Sequence, residues 1–305
     1  MPSIQSPLGA LPRLFRRGRL LVVGCGDVGG RVVQRLNGGQ RVLALTSSPA
    51  RMDELRALGV TPLWGNLDDV ASLRRLSGLA QRVLHLAPPP GAGWADTRTR
   101  NLAAALRLRS PLTALVYGST SGVYGDCQGQ WVDETRAPKP LTPRAWRRVD
   151  AEGRIRHLGR SGGVRVTILR IPGIYAPNRP SGTPEARLRK GTPVLQPQDD
   201  VYTNHIHADD LARACLAALW RGKPQRVYNV SDDTDLKMGD YFDWAADHFG
   251  LPRPPRVPRS TAQNELPLVL LSFMSESRRL HNQRMKAELR LGLQFATVVQ
   301  GFARL

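Results

Sequence analysis

The chain has almost no lysine. Only Lys139, Lys190, Lys223, Lys237 and Lys286 stand among its 44 basic residues, and the rest are arginines. Cysteine is as scarce. Cys25, Cys127 and Cys215 are odd in number and far apart. That excludes a disulfide framework and a cysteine metal cluster, and it is the usage of a reducing cytoplasm. No apolar run approaches the roughly 18 residues of a membrane-spanning helix. Residues 1–18 hold Arg13, Arg16 and Arg17 with no sustained apolar stretch. A signal peptide is therefore not expected, and a loose arm ahead of the first strand is. There is no internal repeat of solenoid length. His205 and His207 alternate as strand residues do, with no further ligand cluster beside them, so no metal site is assigned.

Acidic residues are also few, 25 against the 44 basic ones, and the formal net charge is +19. Such a charge invites a nucleic-acid reading. The arginines are scattered through every segment, however, which reads as residue-usage bias more than as one binding face. Association with nucleic acid is kept only as a third reading, and attraction to phosphorylated ligands is the milder consequence. An apolar content of 41% over 305 residues is enough for a core. It suits one large domain, or a sheet domain with a smaller partner.

What is present begins at residues 19–36, RLLVVGCGDVGGRVVQRL. Leu20 to Val23 is a short apolar run of the kind a strand buried on both faces shows. Gly24, Gly26 and Gly29 then form G-x-G-x-x-G, and Val28, Val32 and Leu36 recur at helix spacing. The first glycine permits a tight turn, the second close approach of backbone to a pyrophosphate, and the third packing of helix on strand. The helix start at Asp27 and Val28 offers unpaired N–H groups to anionic phosphates. A strand before the motif and a helix after it are the context that dinucleotide binding needs.

Further along, residues 41–45 read as a second strand. A binder of the unphosphorylated cofactor carries Asp or Glu at its end, for the ribose 2′-OH. Here stand Thr46, Ser47 and Ser48, followed by Arg51, and the first acid is Asp53, within a helix. Small hydroxyls and an arginine suit a 2′-phosphate, so NADP is favoured over NAD. The same residues also read as a plain helix cap, with Pro49 in the first turn. Residues 60–64 form a third strand, and Asn66 and Leu67 lie in the turn that leads into another helix. Residues 82–86 are a fourth strand, ending in Ala87 and Pro88, at the edge where ligands lie in an open parallel sheet. His85, inside that strand, reads as a core histidine. A helix over 95–108 and a fifth strand over 112–117 follow. Strands alternating with helices predict a doubly wound parallel α/β sheet of about seven strands, a Rossmann fold, with right-handed crossovers.

Later segments are read more coarsely. Residues 164–169 are the sixth strand. Residues 176–200 are rich in Pro, Gly and charge, and their arginines, among them Arg179, Arg187 and Arg189, read as surface or as contacts for an anionic ligand. Helices are expected over 208–220 and 238–249, the latter ended by Gly250. Residues 251–258 read as a connector, residues 267–274 as a buried apolar segment, and residues 277–289 as a polar and basic helix.

One segment makes a resemblance specific: Gly118-Ser119-Thr120-Ser121-Gly122-Val123-Tyr124-Gly125-Asp126, with Val132-Asp133-Glu134-Thr135 after it. Together with Leu169-Arg170-Ile171-Pro172-Gly173-Ile174-Tyr175, residues 204–212 and residues 227–230, it resembles the extended short-chain dehydrogenase/reductase superfamily of the epimerase/dehydratase type. The resemblance covers roughly residues 19–250. It implies a dinucleotide-binding domain over 19–175 and a smaller substrate region over 176–305, with 205–231 returning to the sheet. It also implies that Pro172, Gly173 and Ile174 lie beside the nicotinamide, and that the substrate is a small molecule, phosphorylated or nucleotide-linked. A monomer or homodimer is expected.

The family uses a Ser or Thr after the fifth strand and a Tyr-x-x-x-Lys on the next helix. Thr120 falls at the hydroxyl position. Aligning Thr142-Pro143 and Glu152 with the family's pattern puts Arg144 where tyrosine belongs and Arg148 where lysine belongs. No Tyr-x-x-x-Lys occurs in the chain. Arginine stays protonated and cannot replace a phenol, although Arg148 could still hold ribose hydroxyls or a phosphate. Both arginines also read as solvated surface residues. The departure resembles atypical bacterial members of the superfamily that keep the glycine loop and lose the tyrosine. Tyr124 is then the substitute acid nearest to hand, and Thr120, Tyr124 and Arg148 are the catalytic candidates. The leading reading is an NAD(P)-binding oxidoreductase or epimerase-like protein acting on a carbonyl or sugar-nucleotide substrate. The alternative is a catalytically silent sensor or scaffold.

Overall fold

The computed structural model describes residues 18–36, 39–108 and 111–303. All but the last residue of the expected N-terminal arm lies outside that range. The first strand, β1 (Arg19–Val23), runs through the middle of the sheet. Helix α1 (Asp27–Gln34) follows it, then β2 (Arg41–Thr46), α2 (Met52–Ala57), β3 (Thr61–Trp64) and β4 (Arg82–His85). Helix α3 (Thr97–Arg107), β5 (Ala114–Thr120), α4 (Pro143–Gly162) and β6 (Arg165–Ile171) continue the alternation. Helix α5 (Glu185–Arg189) belongs to an excursion, after which α6 (Ala208–Arg221) and β7 (Arg226–Asn229) return. The C-terminal third adds α7 (Met238–Phe249), α8 (Arg259–Glu265), α9 (Leu268–Met274), α10 (Gln283–Glu288) and α11 (Val298–Phe302).

The seven strands pair in the order β7-β6-β5-β4-β1-β2-β3, all parallel. β1 is thus flanked by β2 on one side and β4 on the other. Its apolar run has a direct physical reason. Leu20 and Val22 enter the core on one face, with Val32 of α1 and Leu211 and Cys215 of α6. Leu21 and Val23 enter the core on the opposite face, with Leu102 of α3 and Ile155 of α4. Both faces are covered by helices, so alternate residues all need to be apolar, each fully buried leucine contributing about 1.5–3 kcal/mol.

Between β6 and β7, and after β7, the chain builds a smaller region with its own core of Tyr175, Leu188, Val194, Met238 and Phe242. Of the 205–231 stretch, α6 packs on the main core and β7 joins the central sheet. Residues His205–His207 pair only with Gly173–Tyr175, in a separate two-stranded sheet. Helix α7 ends at Gly250 with φ +62°, a left-handed position that suits glycine.

Four local expectations are corrected. Residues 267–274 are not a buried segment: Leu268 is 84% and Phe273 44% exposed, although Met274 is buried. Residues 277–289 are divided, since Arg279–Leu280 pairs as a strand with Trp131–Val132 before α10 begins. Within the connector, Arg256–Val257 pairs with Val194–Leu195. The helix after Asn66 and Leu67 is a single 3-10 stretch over Ala71–Leu76. Long-range pairing overrides local pattern in the middle two cases. Cys25, Cys127 and Cys215 are all free and buried. Among the described residues, no helix is long and apolar enough to cross a membrane.

Candidate functional site

Strand β1 ends in a turn that only glycine allows. Gly24 has φ +87°, and a Cβ there would lie 2.4 Å from the backbone nitrogen of Ala87. The end of β4 therefore lies directly against the loop, where Leu86 and Ala87 both donate their N–H to the Val23 carbonyl, at 2.7 and 3.0 Å. Gly29 packs α1 onto β1, since a Cβ would meet Val22 Cγ1 at 3.4 Å. Gly26 differs: a Cβ there would meet nothing within 4 Å. At this point the loop opens outward.

The opening is a cavity of about 420 Å³ at the carboxyl ends of β1 to β4, with Gly24 and Gly26 on one wall. Thr46, Ser47, Ser48 and Arg51 line it from β2, Asn66 and Leu67 from β3, and Ala87 and Pro88 from β4. Several of these are already engaged. Thr46 Oγ1 accepts from the Ser48 N–H at 3.2 Å. Arg51 donates to both carboxylate oxygens of Glu54, at 3.1 and 3.2 Å. Asn66 Oδ1 accepts from the Asp68 N–H at 3.0 Å. Open backbone at Gly26, just ahead of α1, and hydroxyls at the end of β2 are a set that fits a dinucleotide. Asp27, Val28 and Gly29 are not on the cavity wall. Asp27, at the first position of α1, is ion-paired with Arg31 and Arg179, each at 3.1 Å.

A second cavity, of about 560 Å³, opens at the ends of β5 and β6. It gathers Thr120, Arg144, Arg148, Pro172, Gly173 and Ile174. The local sequence explains the two arginines. Thr142 caps α4, accepting from the Ala145 N–H at 3.2 Å, with Pro143 in the first turn. Four residues apart on that helix, Arg144 and Arg148 share a face. Arg148 turns back onto β5, donating to the Gly118 carbonyl at 2.8 Å and the Tyr117 hydroxyl at 3.1 Å. Arg144 lies over the ring of Phe273, 4.9 Å from its centroid. Arg148 is thus anchored in the site and is not a solvated surface residue.

Tyr124 is not brought to either cavity. Its side chain is 1% exposed, and its hydroxyl donates to Asn229 Oδ1 at 2.8 Å. The Arg170 guanidinium lies 4.6 Å above its ring. Burial pushes the phenol above its ordinary value. The expectation that Tyr124 serves as a substitute acid is corrected: it braces β7 against the β5 turn, sealed from any ligand. His85 is a core histidine, bonded to Thr99 at 2.9 Å and held neutral by burial, with its pKa down at about 3.

The second cavity also has walls that no local motif marks. Glu276 and Arg278 arrive from the C-terminal segment, Arg278 donating to Glu276 Oε2 at 2.8 Å and to the Gly125 carbonyl at 2.7 Å. The rings of His205 and Tyr241 meet at a tilt of 38°, with centroids 4.5 Å apart, and burial lowers His205 to about 4, so it is neutral at pH 7. Arg187 lies over Phe242 at 4.4 Å, with its Nε and Nη2 buried and without protein partners. Burial lowers its pKa. Of these, Arg187 carried a signal in sequence as one arginine of a charged loop, and His205 as part of the 204–212 segment; Glu276, Arg278 and Tyr241 carried none of their own. The described residues hold no group of three or more His, Cys, Asp or Glu arranged to bind a metal ion.

Comparison with known proteins agrees with this geometry. The human dTDP-D-glucose 4,6-dehydratase is 27% identical over 131 residues, which are 40% of this chain and 37% of that protein. The chain thus matches little more than a third of the length of its curated relatives. A functionally unknown conserved protein from Silicibacter pomeroyi superposes with a TM-score of 0.79 at 30% identity, over 94% of this chain and 98% of that one. The dTDP-glucose 4,6-dehydratase DesIV from Streptomyces venezuelae, solved with NAD and TYD bound, superposes with a TM-score of 0.75 at 22% identity, over 94% and 95% of the two chains. The sequence model of the NAD dependent epimerase/dehydratase family matches residues 20–231, more than two thirds of the chain. With its glycine loop, its strand order and that match, the chain belongs to the NAD dependent epimerase/dehydratase family.

Proposed function

We propose that the chain binds NADP, in preference to NAD, across the glycine loop, and takes a phosphorylated or nucleotide-linked sugar or carbonyl compound in the second cavity. The observation that carries this reading is the placement of the two cavities. Both open at the carboxyl edge of one parallel sheet, one at Gly26 and Ser47, the other at Thr120 and Gly173. That is where an extended dinucleotide would reach from one to the other. When bound, the nicotinamide supplies hydride transfer; the chain's own part is to orient it and to hold the substrate. Ser47, Ser48 and Arg51 are read as the 2′-phosphate contacts. Pro172, Gly173 and Ile174 are read as the wall beside the nicotinamide, with Arg148 near the ribose. Arg187 is read as the contact for the substrate's anionic group, because a buried guanidinium without partners is satisfied by an anion.

A second reading is a silent cofactor sensor. It is favoured by Arg148, whose guanidinium is turned back onto β5, and by Arg144 at the place the family pattern gives to its phenol. Thermal shift with NADPH, NADH and a panel of UDP- and dTDP-sugars tests both readings. A ligand at 100 times its dissociation constant adds about 2.7 kcal/mol of stability. Stabilisation by dinucleotide and by a sugar nucleotide supports the first reading, and stabilisation by dinucleotide alone supports the second. No shift with any dinucleotide rejects both.

A further inference from the structure

Asp27 stands at an awkward place. It is the first residue of α1, directly after Gly26, where the helix N–H groups favour an incoming anion. Its own carboxylate would repel a pyrophosphate there unless cations compensate it. Arg31 is committed in three directions: Nε to Asp27 at 3.1 Å, Nη1 to Asp209 at 2.9 Å and Nη2 to Asn178 at 2.6 Å. Its side chain is only 10% exposed. Arg179 is in a different position. It reaches Asp27 Oδ2 at 3.1 Å from the loop that follows Tyr175, and its head remains 26% exposed.

The backbone that carries Arg179 is fixed. Its N–H donates to the Ala176 carbonyl at 3.2 Å, and its carbonyl accepts from Gly182 at 2.9 Å. The loop closes so tightly that a Cβ on Gly182 would lie 2.3 Å from the Ala176 oxygen. Nη1 is tethered to the Ile174 carbonyl at 2.7 Å. Asp27 and Asp209 face Arg31, Arg35 and Arg179, which leaves this cluster one positive charge in excess. A preplaced, partly exposed guanidinium beside the glycine loop has the fork geometry that a phosphate accepts.

We propose that Arg179 binds the pyrophosphate of the dinucleotide, and that Asp27 holds its guanidinium in place until the cofactor arrives. The proposal rests on the reading that the glycine loop holds a dinucleotide, and adds to it a residue from the loop that follows Tyr175. Arg179 itself lies behind the walls of both cavities, beside the first turn of α1. Ser181, Gly182 and Thr183, in and just after the loop that carries Arg179, wall the second cavity, so a phosphate contact at Arg179 would brace the substrate side.

The test is calorimetric titration of the full chain with NADPH, NADH, ADP-ribose and adenosine, in wild type, Arg179→Met and Asp27→Asn. Loss of a charge-assisted phosphate contact should weaken ADP-ribose and both dinucleotides roughly tenfold to a hundredfold in Arg179→Met. Adenosine, which has no phosphate, should bind wild type and variant alike. Asp27→Asn should tighten ADP-ribose, because a competing carboxylate is gone. An ion pair with a purely structural role gives the opposite pattern: both substitutions change stability in the same direction and neither changes affinity selectively. Wild-type affinity for ADP-ribose in Arg179→Met, or equal weakening in both variants, overturns the assignment. If wild type binds neither dinucleotide nor ADP-ribose, the underlying cofactor reading fails, and this one with it.

Discussion

Inside the protein, Glu152 accepts two hydrogen bonds from Arg170, Nε to Oε1 at 3.1 Å and Nη2 to Oε2 at 2.8 Å, with the two side chains 4% and 2% exposed. Glu152 also accepts from the Ser119 hydroxyl at 2.7 Å. The pair fastens α4 to β6 and to the end of β5. It thereby sets where Arg144 and Arg148 stand.

Breaking that pair should be costly. Glu152→Gln leaves a buried guanidinium without its counter-charge, and losses of about 3–5 kcal/mol are usual for this kind of change. Urea unfolding of the variant measures it. A loss below about 1 kcal/mol would mean that water reaches the pair and screens it.

Two glycines of the loop should behave oppositely. At Gly26 there is open space, so Gly26→Asp should fold normally and lose dinucleotide binding, through steric blockage and added like charge. At Gly24 the positive φ and the 2.4 Å approach to Ala87 forbid a side chain, so Gly24→Ala should unfold at lower urea, by more than about 1 kcal/mol. Titration and urea unfolding of both variants check this. Unchanged NADPH affinity in Gly26→Asp would remove the loop from the cofactor site.

The preference for a 2′-phosphate is tested at Arg51. Arg51→Glu should weaken NADPH more than NADH. Glu54→Gln, which frees Arg51 from its present partner, should favour NADPH. Equal changes for both cofactors in both variants would refute the role.

Carbonyl reduction should be weak or absent. A positioned acid contributes about 10²–10⁴ in rate, and under the proposed alignment Arg144 stands where that acid belongs. Tyr124→Phe should leave any turnover unaltered and cost about 1 kcal/mol of stability, since the buried hydroxyl's hydrogen bond to Asn229 is lost. The check is NADPH oxidation across a carbonyl panel with wild type, Tyr124→Phe and Thr120→Val. Robust turnover that Tyr124→Phe abolishes would contradict the buried placement.

Asp232 is one source of pH dependence in the stability, beside the buried histidines. Burial raises its carboxyl from 3.8 to about 8. Between those values the folded chain holds a proton there that the unfolded chain has released, so this group's contribution falls as pH rises through the window. Asp232→Asn keeps the shape without the charge. Melting temperatures measured at pH 5 and pH 8 should show the variant gaining on wild type at the higher pH. An equal difference at both would place the proton elsewhere.

The central sheet was legible in sequence because its strands are buried on both faces. Leu20 to Val23 must then be apolar throughout, whatever lies elsewhere in the chain. The glycine loop was legible for a similar reason: the backbone at Gly24 and the approach of Ala87 admit no side chain. Cap chemistry marked the start of α4 and the end of α7, since Thr142-Pro143 and Gly250 act on the adjoining turn. Tyr124 was misread because its motif states the residue type and not the direction of its side chain. Asn229, 105 residues away, decides that direction. Glu276 and Arg278 are invisible locally for the same reason, and Arg179 was legible only as one arginine of a charged loop, without its partner. Each reaches its place through pairing that spans scores of residues: Cys127 and Gly129 with Ser277, Trp131 with Arg279, and Arg179 with Asp27. Local sequence determined the elements and the glycine loop, through burial and backbone sterics. The tertiary structure alone decided which charges face one another, because that depends on contacts between segments that carry no pattern in common.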